Sequence, residues 1–130
     1  MPLEQTEVDK RLEGIHERIL SVIETKDIEK ILDLFHPHAV VVHRESGVIY
    51  GHEDLRQFYQ ACLKVGPPIY KVIPIKNLAT PDGEYLIQEG FLEFNINDEK
   101  KRCEFTGIFK RDEQGIYKYY RNEVDVKNMH

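Results

Sequence analysis

The 130-residue chain has no tryptophan, two cysteines, fewer basic than acidic side chains, and no long apolar run. Crossing a bilayer as a helix takes roughly 20 consecutive apolar residues, so no membrane partner is expected. Cys62 and Cys103 stand far apart without a C-x-x-C spacing, which excludes a disulfide framework or thiol redox motif read from spacing. Cys62 falls on the apolar stripe of a helix and reads as a buried free thiol. A formal charge of −5 argues against a nucleic-acid partner, which normally needs a basic face. Lys100, Lys101 and Arg102 form the densest basic cluster, and beside Asp98 and Glu99 they read as a solvated turn. The opening MPLEQTEVDK carries acids and no apolar segment of the secretory kind, so a cytoplasmic, intracellular protein is expected.

What is present suits one soluble domain over residues 1–130, with 41% hydrophobic and 32% charged residues and no repeats or linkers. Val8, Leu12, Ile15, Ile19, Val22 and Ile23 recur at three- and four-residue intervals, which predicts a helix from Glu4 to Thr25. Gly14 weakens that helix by up to about 1 kcal/mol against alanine, and His16 lies off the stripe and reads as exposed. Asp27 is placed to cap a second, short helix whose apolar side is Ile28, Ile31, Leu32 and Phe35, and which Pro37 closes. A short strand, Ala39 to Val42, then turns at Ser46-Gly47 and returns through Val48 to Tyr50. A third helix follows from His52 to Val65, with Leu55, Phe58, Tyr59, Cys62 and Leu63 on one face and Gly66-Pro67-Pro68 as its stop.

From Ile69 the period changes to two. Turns at Thr80–Gly83, Asn97–Lys100 and Asp112–Gly115 divide the remainder into four antiparallel strands: Ile69–Ala79, Glu84–Asn95, Arg102–Arg111 and Ile116–Val126. Pro74 lacks the N–H a ladder needs, so its strand must be an edge or carry a bulge. Neither face of these strands is cleanly polar. Ile87, Phe91, Ile108 and Tyr119 are assigned to the outer face, where a second copy of the chain would cover them, so a homodimer is expected. Arg121, Glu123 and Asp125 alternate to that same outer face.

The order of three helices, a hairpin ahead of the third, and a long antiparallel sheet resembles the nuclear-transport-factor-like superfamily. That group holds the ketosteroid isomerases and the SnoaL-like cyclases. The segment KDIEKILDLFHPHAVVVHRESGVIYGHEDLRQFY carries the resemblance most specifically, through Asp27-Ile28-Glu29, Leu34-Phe35, Ala39-Val40, Gly51 and Phe58-Tyr59. It implies an α+β fold in which a curved antiparallel sheet of about six strands closes as a cone over three helices. It also implies where an isomerase site would lie. The family's general-base aspartate corresponds to His43, its oxyanion tyrosine to Ile19 and its oxyanion aspartic acid to Gly107, while Tyr59 is retained. Loss of one oxyanion donor typically lowers the rate by about 10²–10³, and both are missing, so steroid isomerisation is not expected.

A cone with Phe105, Gly107 and Phe109 facing inward would also turn Tyr120, Asn122 and Val124 inward, beside Val41 and His43. These residues and Tyr59 form the candidate ligand-binding set, and His43 is the candidate catalytic base. Burial would keep its imidazole neutral. His36 and His38 flank Pro37 without H-x-x-x-H or H-E-x-x-H spacing, so neither a metal nor another cofactor is assigned. Three functions fit this pattern: a homodimeric pocket protein for a small apolar ligand, an isomerase, cyclase or dehydratase using His43, and a dimerisation or protein-interaction module whose cone its own side chains fill.

Overall fold

The structure, a computed structural model, describes residues 3–44, 46–65, 70–96 and 98–125, with the backbone alone at residues 65 and 96. Helix α1 (Gln5–Glu24) buries Val8, Leu12, Ile15, Ile19 and Ile23, the stripe its sequence spacing predicts. His16 is a correction: it is buried, with only 6% of its surface exposed. Helix α2 (Ile28–Leu32) starts where the Asp27 carboxylate accepts from the backbone N–H groups of Glu29 and Lys30.

Strand β1 (Phe35–His43) begins before Pro37, which therefore does not close a helix but lies within a strand. Its pairing to the last strand skips from Phe35 to Val40, so the proline occupies the gap in the ladder where no N–H is required. β2 (Gly47–Tyr50) and α3 (Gly51–Val65) follow, then β3 (Lys71–Ala79), β4 (Tyr85–Ile96), β5 (Glu99–Arg111) and β6 (Tyr117–Val124). Lys100, Lys101 and Arg102 stand within β5 rather than in a turn. The helix stop Gly66-Pro67-Pro68, Ile69, Asn97 and Val126 lie outside the described residues.

The strands form one sheet in the order β2-β1-β6-β5-β4-β3, α+β in class, curved and unclosed over the three helices. All neighbours are antiparallel except β1 and β6, which pair in parallel with Val41 beside Asn122 and His43 beside Val124. β3 is an edge strand and also shifts register between Pro74 and Lys76, so both provisions for Pro74 are met. Leu12, Ile31, Leu55, Leu86 and Phe109 have almost no exposed surface. Each such side chain contributes roughly 1.5–3 kcal/mol relative to leaving it in water.

A second register shift decides what faces the interior. Gly107 pairs with Asn122 and Ile108 with Arg121, but Phe109 pairs with Tyr119, so Tyr120 is the extra residue of a bulge. Side chains alternate across a strand, and one added residue reverses their sense beyond it. Tyr119 and Tyr117 are therefore buried on the inner side. Tyr120 is turned outward, its ring edge-on to His36 at 5.1 Å and the Lys110 Nζ 5.5 Å from its centre. The expectations for Tyr119 and Tyr120 are thus exchanged.

Candidate functional site

The sheet and helices enclose a cavity of about 260 Å³. α1 contributes Ile19 and Ile23, one and two turns beyond His16, and α3 contributes Leu55, Phe58, Tyr59 and Cys62. β1 brings Phe35, Val41 and His43, β4 brings Leu92 and Phe94, and β6 brings Tyr119, Asn122 and Val124. Tyr70, immediately before β3, completes the wall. Five residues of the candidate set, Val41, His43, Tyr59, Asn122 and Val124, meet here.

The other four do not line it. Phe105 and Phe109 do face inward, but both rings are buried and stand edge-on to the His16 imidazole at 6.5 and 5.8 Å. That part of the interior is filled. At Gly107 an added Cβ would lie 3.4 Å from the Phe109 ring and 3.7 Å from the Phe105 ring, so the glycine adjoins core aromatics and precedes the bulge. Tyr120 is excluded by that bulge. Tyr70 and Tyr119, which sequence reasoning did not assign to the site, take their places. Nothing in a period-two pattern marks an extra residue in β6, and Tyr70 precedes its strand.

His43 is half-buried at the rim, its ring 5.5 Å from that of Phe58. Burial lowers its pKa below the ordinary 6.5, so the imidazole is neutral near pH 7. Among the described residues the ring makes no hydrogen bond, which leaves its nitrogens open to an incoming group. Tyr70 and Tyr119 both line the cavity, and each hydroxyl carries one proton that it can donate. Burial, the largest cause in each case, pushes the pKa of Tyr59, Tyr70 and Tyr119 upward, so all three phenols are protonated donors. Burial likewise raises the Cys62 thiol, which is half-buried and stays a thiol rather than a nucleophilic thiolate. The site is thus an apolar cavity with neutral donors and one neutral acceptor-capable imidazole.

Beside it a polar chain runs from buried His16 and Gln88 out to exposed Asp9. Gln88 Nε2 donates to Asn77 Oδ1 at 2.9 Å, and Asn77 Nδ2 donates to Asp9 Oδ1 at 3.0 Å. Gln88 Oε1 is then the acceptor toward His16, so His16 Nε2 carries the proton of their 2.6 Å bond. His16 Nδ1 is buried with no hydrogen-bond partner among the described residues.

The profile of the SnoaL-like domain matches residues 16–119, most of the chain. The protein belongs to the SnoaL-like family. Solved structures of low identity share the fold of this SnoaL-like chain. An NTF-2-like protein of unknown function from Shewanella oneidensis is 7% identical, with a TM-score of 0.72 over 90% of this chain and 98% of that one. A cystatin-like-fold protein of unknown function from Nostoc punctiforme is 14% identical, with a TM-score of 0.71 over 96% and 94%. An epoxide hydrolase/cyclase-like enzyme of pyran ring formation in the polyether salinomycin is 18% identical, with a TM-score of 0.59 over 93% and 95%. These likenesses establish the fold. No curated protein matches the chain.

Proposed function

We propose that this SnoaL-like protein is a homodimer that binds a small, largely apolar ligand bearing one oxygen acceptor. The observation that carries the reading is the cavity itself, with apolar walls and three protonated phenols, the usual composition of a small-molecule site. A ketone or ether fits such walls better than an acid, because among the described residues no cationic side chain lines the cavity. Steroid isomerisation is not part of the reading, since Ile19 and Gly107 supply no oxyanion donors. The partner copy packs on the outer face of the sheet, over half-buried Ile87, Phe91 and Ile108. Ile75, thrust out by the β3 bulge and 68% exposed, adds to that face.

A second reading is catalysis in the same cavity, with His43 as general base for an isomerase, cyclase or dehydratase step. It is favoured by one feature: a neutral imidazole and the Tyr70–Tyr119 pair border one enclosed space, so a proton could leave one atom of a ligand while an oxygen is held at another. The salinomycin cyclase-like enzyme lends support as a similar fold. Native mass spectrometry of protein purified without denaturation, followed by titration with a cyclic ketone, tests both. Unchanged affinity and lost turnover in His43→Ala supports the base. Lost affinity with no wild-type turnover supports the binder, and failure of any apolar ligand to bind refutes the two together.

A further inference from the structure

Five of the seven arginines pair with a carboxylate within 4 Å: Arg11 with Glu7, Arg44 and Arg121 with Glu123, Arg56 with Glu29, and Arg102 with Glu93. The remaining two, Arg18 and Arg111, have no carboxylate within that distance among the described residues, and both line one open groove of about 500 Å³. One wall is α1, with Arg11, Gly14, Ile15 and Arg18 at one-turn spacing, and the other is the end of β5 and the turn into β6. Gly14 leaves the groove open, since a Cβ there would meet nothing within 4 Å. The groove shares no lining residue with the cone cavity, so it stands apart from the proposed function.

Neutral groups hold Arg18 and Arg111 in place, and Arg11 is shared between Glu7 and a tyrosine. Arg11 Nη1 donates to the Tyr117 hydroxyl at 3.0 Å, Arg18 Nη2 to the Tyr117 carbonyl, and Arg111 Nη2 to the Asp82 carbonyl at 3.3 Å. Arg18 Nε is shut off from water with no acceptor among the described residues. The nearby acids are already engaged. Glu7 is bonded to Arg11, Asp82 accepts from Thr80 and the Glu84 N–H, and Asp112 accepts from the N–H groups of Gln114 and Ile116 beside Lys118.

We propose that this groove binds a phosphate monoester with a small apolar body. A tetrahedral phosphate has three peripheral oxygens to share between guanidiniums on opposite walls, whereas a planar carboxylate has two, which one bidentate arginine fork can engage together. Ile15 and the 39%-exposed Ile116 offer the apolar contact. The test is an NMR titration at low ionic strength, following the backbone amides of residues 14, 115 and 116 and the Arg18 Nε–H with phenyl phosphate, inorganic phosphate and benzoate. Saturable one-to-one shifts are expected, with phenyl phosphate the tightest of the three. Arg18→Gln and Arg111→Gln should each weaken it about tenfold, the usual effect of one charged hydrogen bond. Arg56→Gln should leave it unchanged. Gly14→Leu fills the groove while favouring the helix, and should abolish binding with no fall in Tm. Absence of saturation, equal affinity in the arginine variants, or wild-type affinity in Gly14→Leu overturns the site. Benzoate binding as tightly as phenyl phosphate overturns the phosphate assignment.

Discussion

Of the histidines whose pKa burial lowers, His43 and His16 have opposite prospects. His43 has open nitrogens on a cavity wall, and His16 is enclosed by aromatic rings with one nitrogen unpartnered. For His16, burial is the larger cause and outweighs the Gln88 bond, which acts the other way. The unfolded chain, with an ordinary value of 6.5, therefore binds a proton before the folded one does. Stability contributed by neutral His16 is fully present above pH 6.5 and is lost as the pH falls from there toward the lowered folded value. Urea unfolding at pH 7.5 and pH 5 should show a decrease, and His16→Gln should flatten part of it while costing about 1–2 kcal/mol at pH 7.5. An unchanged slope in that variant would contradict the role. At the site itself, Tyr119→Phe removes the phenolic proton of one of the three tyrosines that line the cavity. It should weaken a ketone's binding several-fold, the effect of roughly 1 kcal/mol, read by calorimetric titration.

Among the elements, β3 is the most constrained by a single neighbour. At Gly90 an added Cβ would stand 2.3 Å from the Ile73 carbonyl oxygen, backbone against backbone, at the bulge around Pro74. Gly90→Ala should cost about 2–4 kcal/mol in chemical denaturation, because neither strand can yield without breaking the ladder. Asp27→Ala removes the cap of α2 and should cost about 1 kcal/mol. Periodicity made α1 legible: its stripe stands as read, as does the Asp27 cap. It failed where an interaction distant in sequence overrides local pattern. Pro37 ends no helix because β6 recruits Phe35 into a strand, and the bulge at Tyr120 is visible only once β5 lies beside it. His16 reads as off the apolar stripe and exposed, yet Gln88, remote in sequence, supplies the acceptor that lets it be buried.

At the scale of the molecule, curvature leaves the sheet with an inner face that lines the cavity and an outer face that carries half-buried Ile87, Phe91 and Ile108. If a second copy covers it, sedimentation equilibrium should return twice the 15.3 kDa chain mass, and Phe91→Arg should return the single mass with the helical signal intact. The account depends above all on the interior being hollow beside His43. A crystal structure of the protein soaked with cyclohexanone tests that most directly. We predict ring density among Ile23, Leu92 and Val124, with the carbonyl oxygen on the Tyr70–Tyr119 pair. A cavity closed by its own side chains, or His43 turned out to solvent, would contradict it.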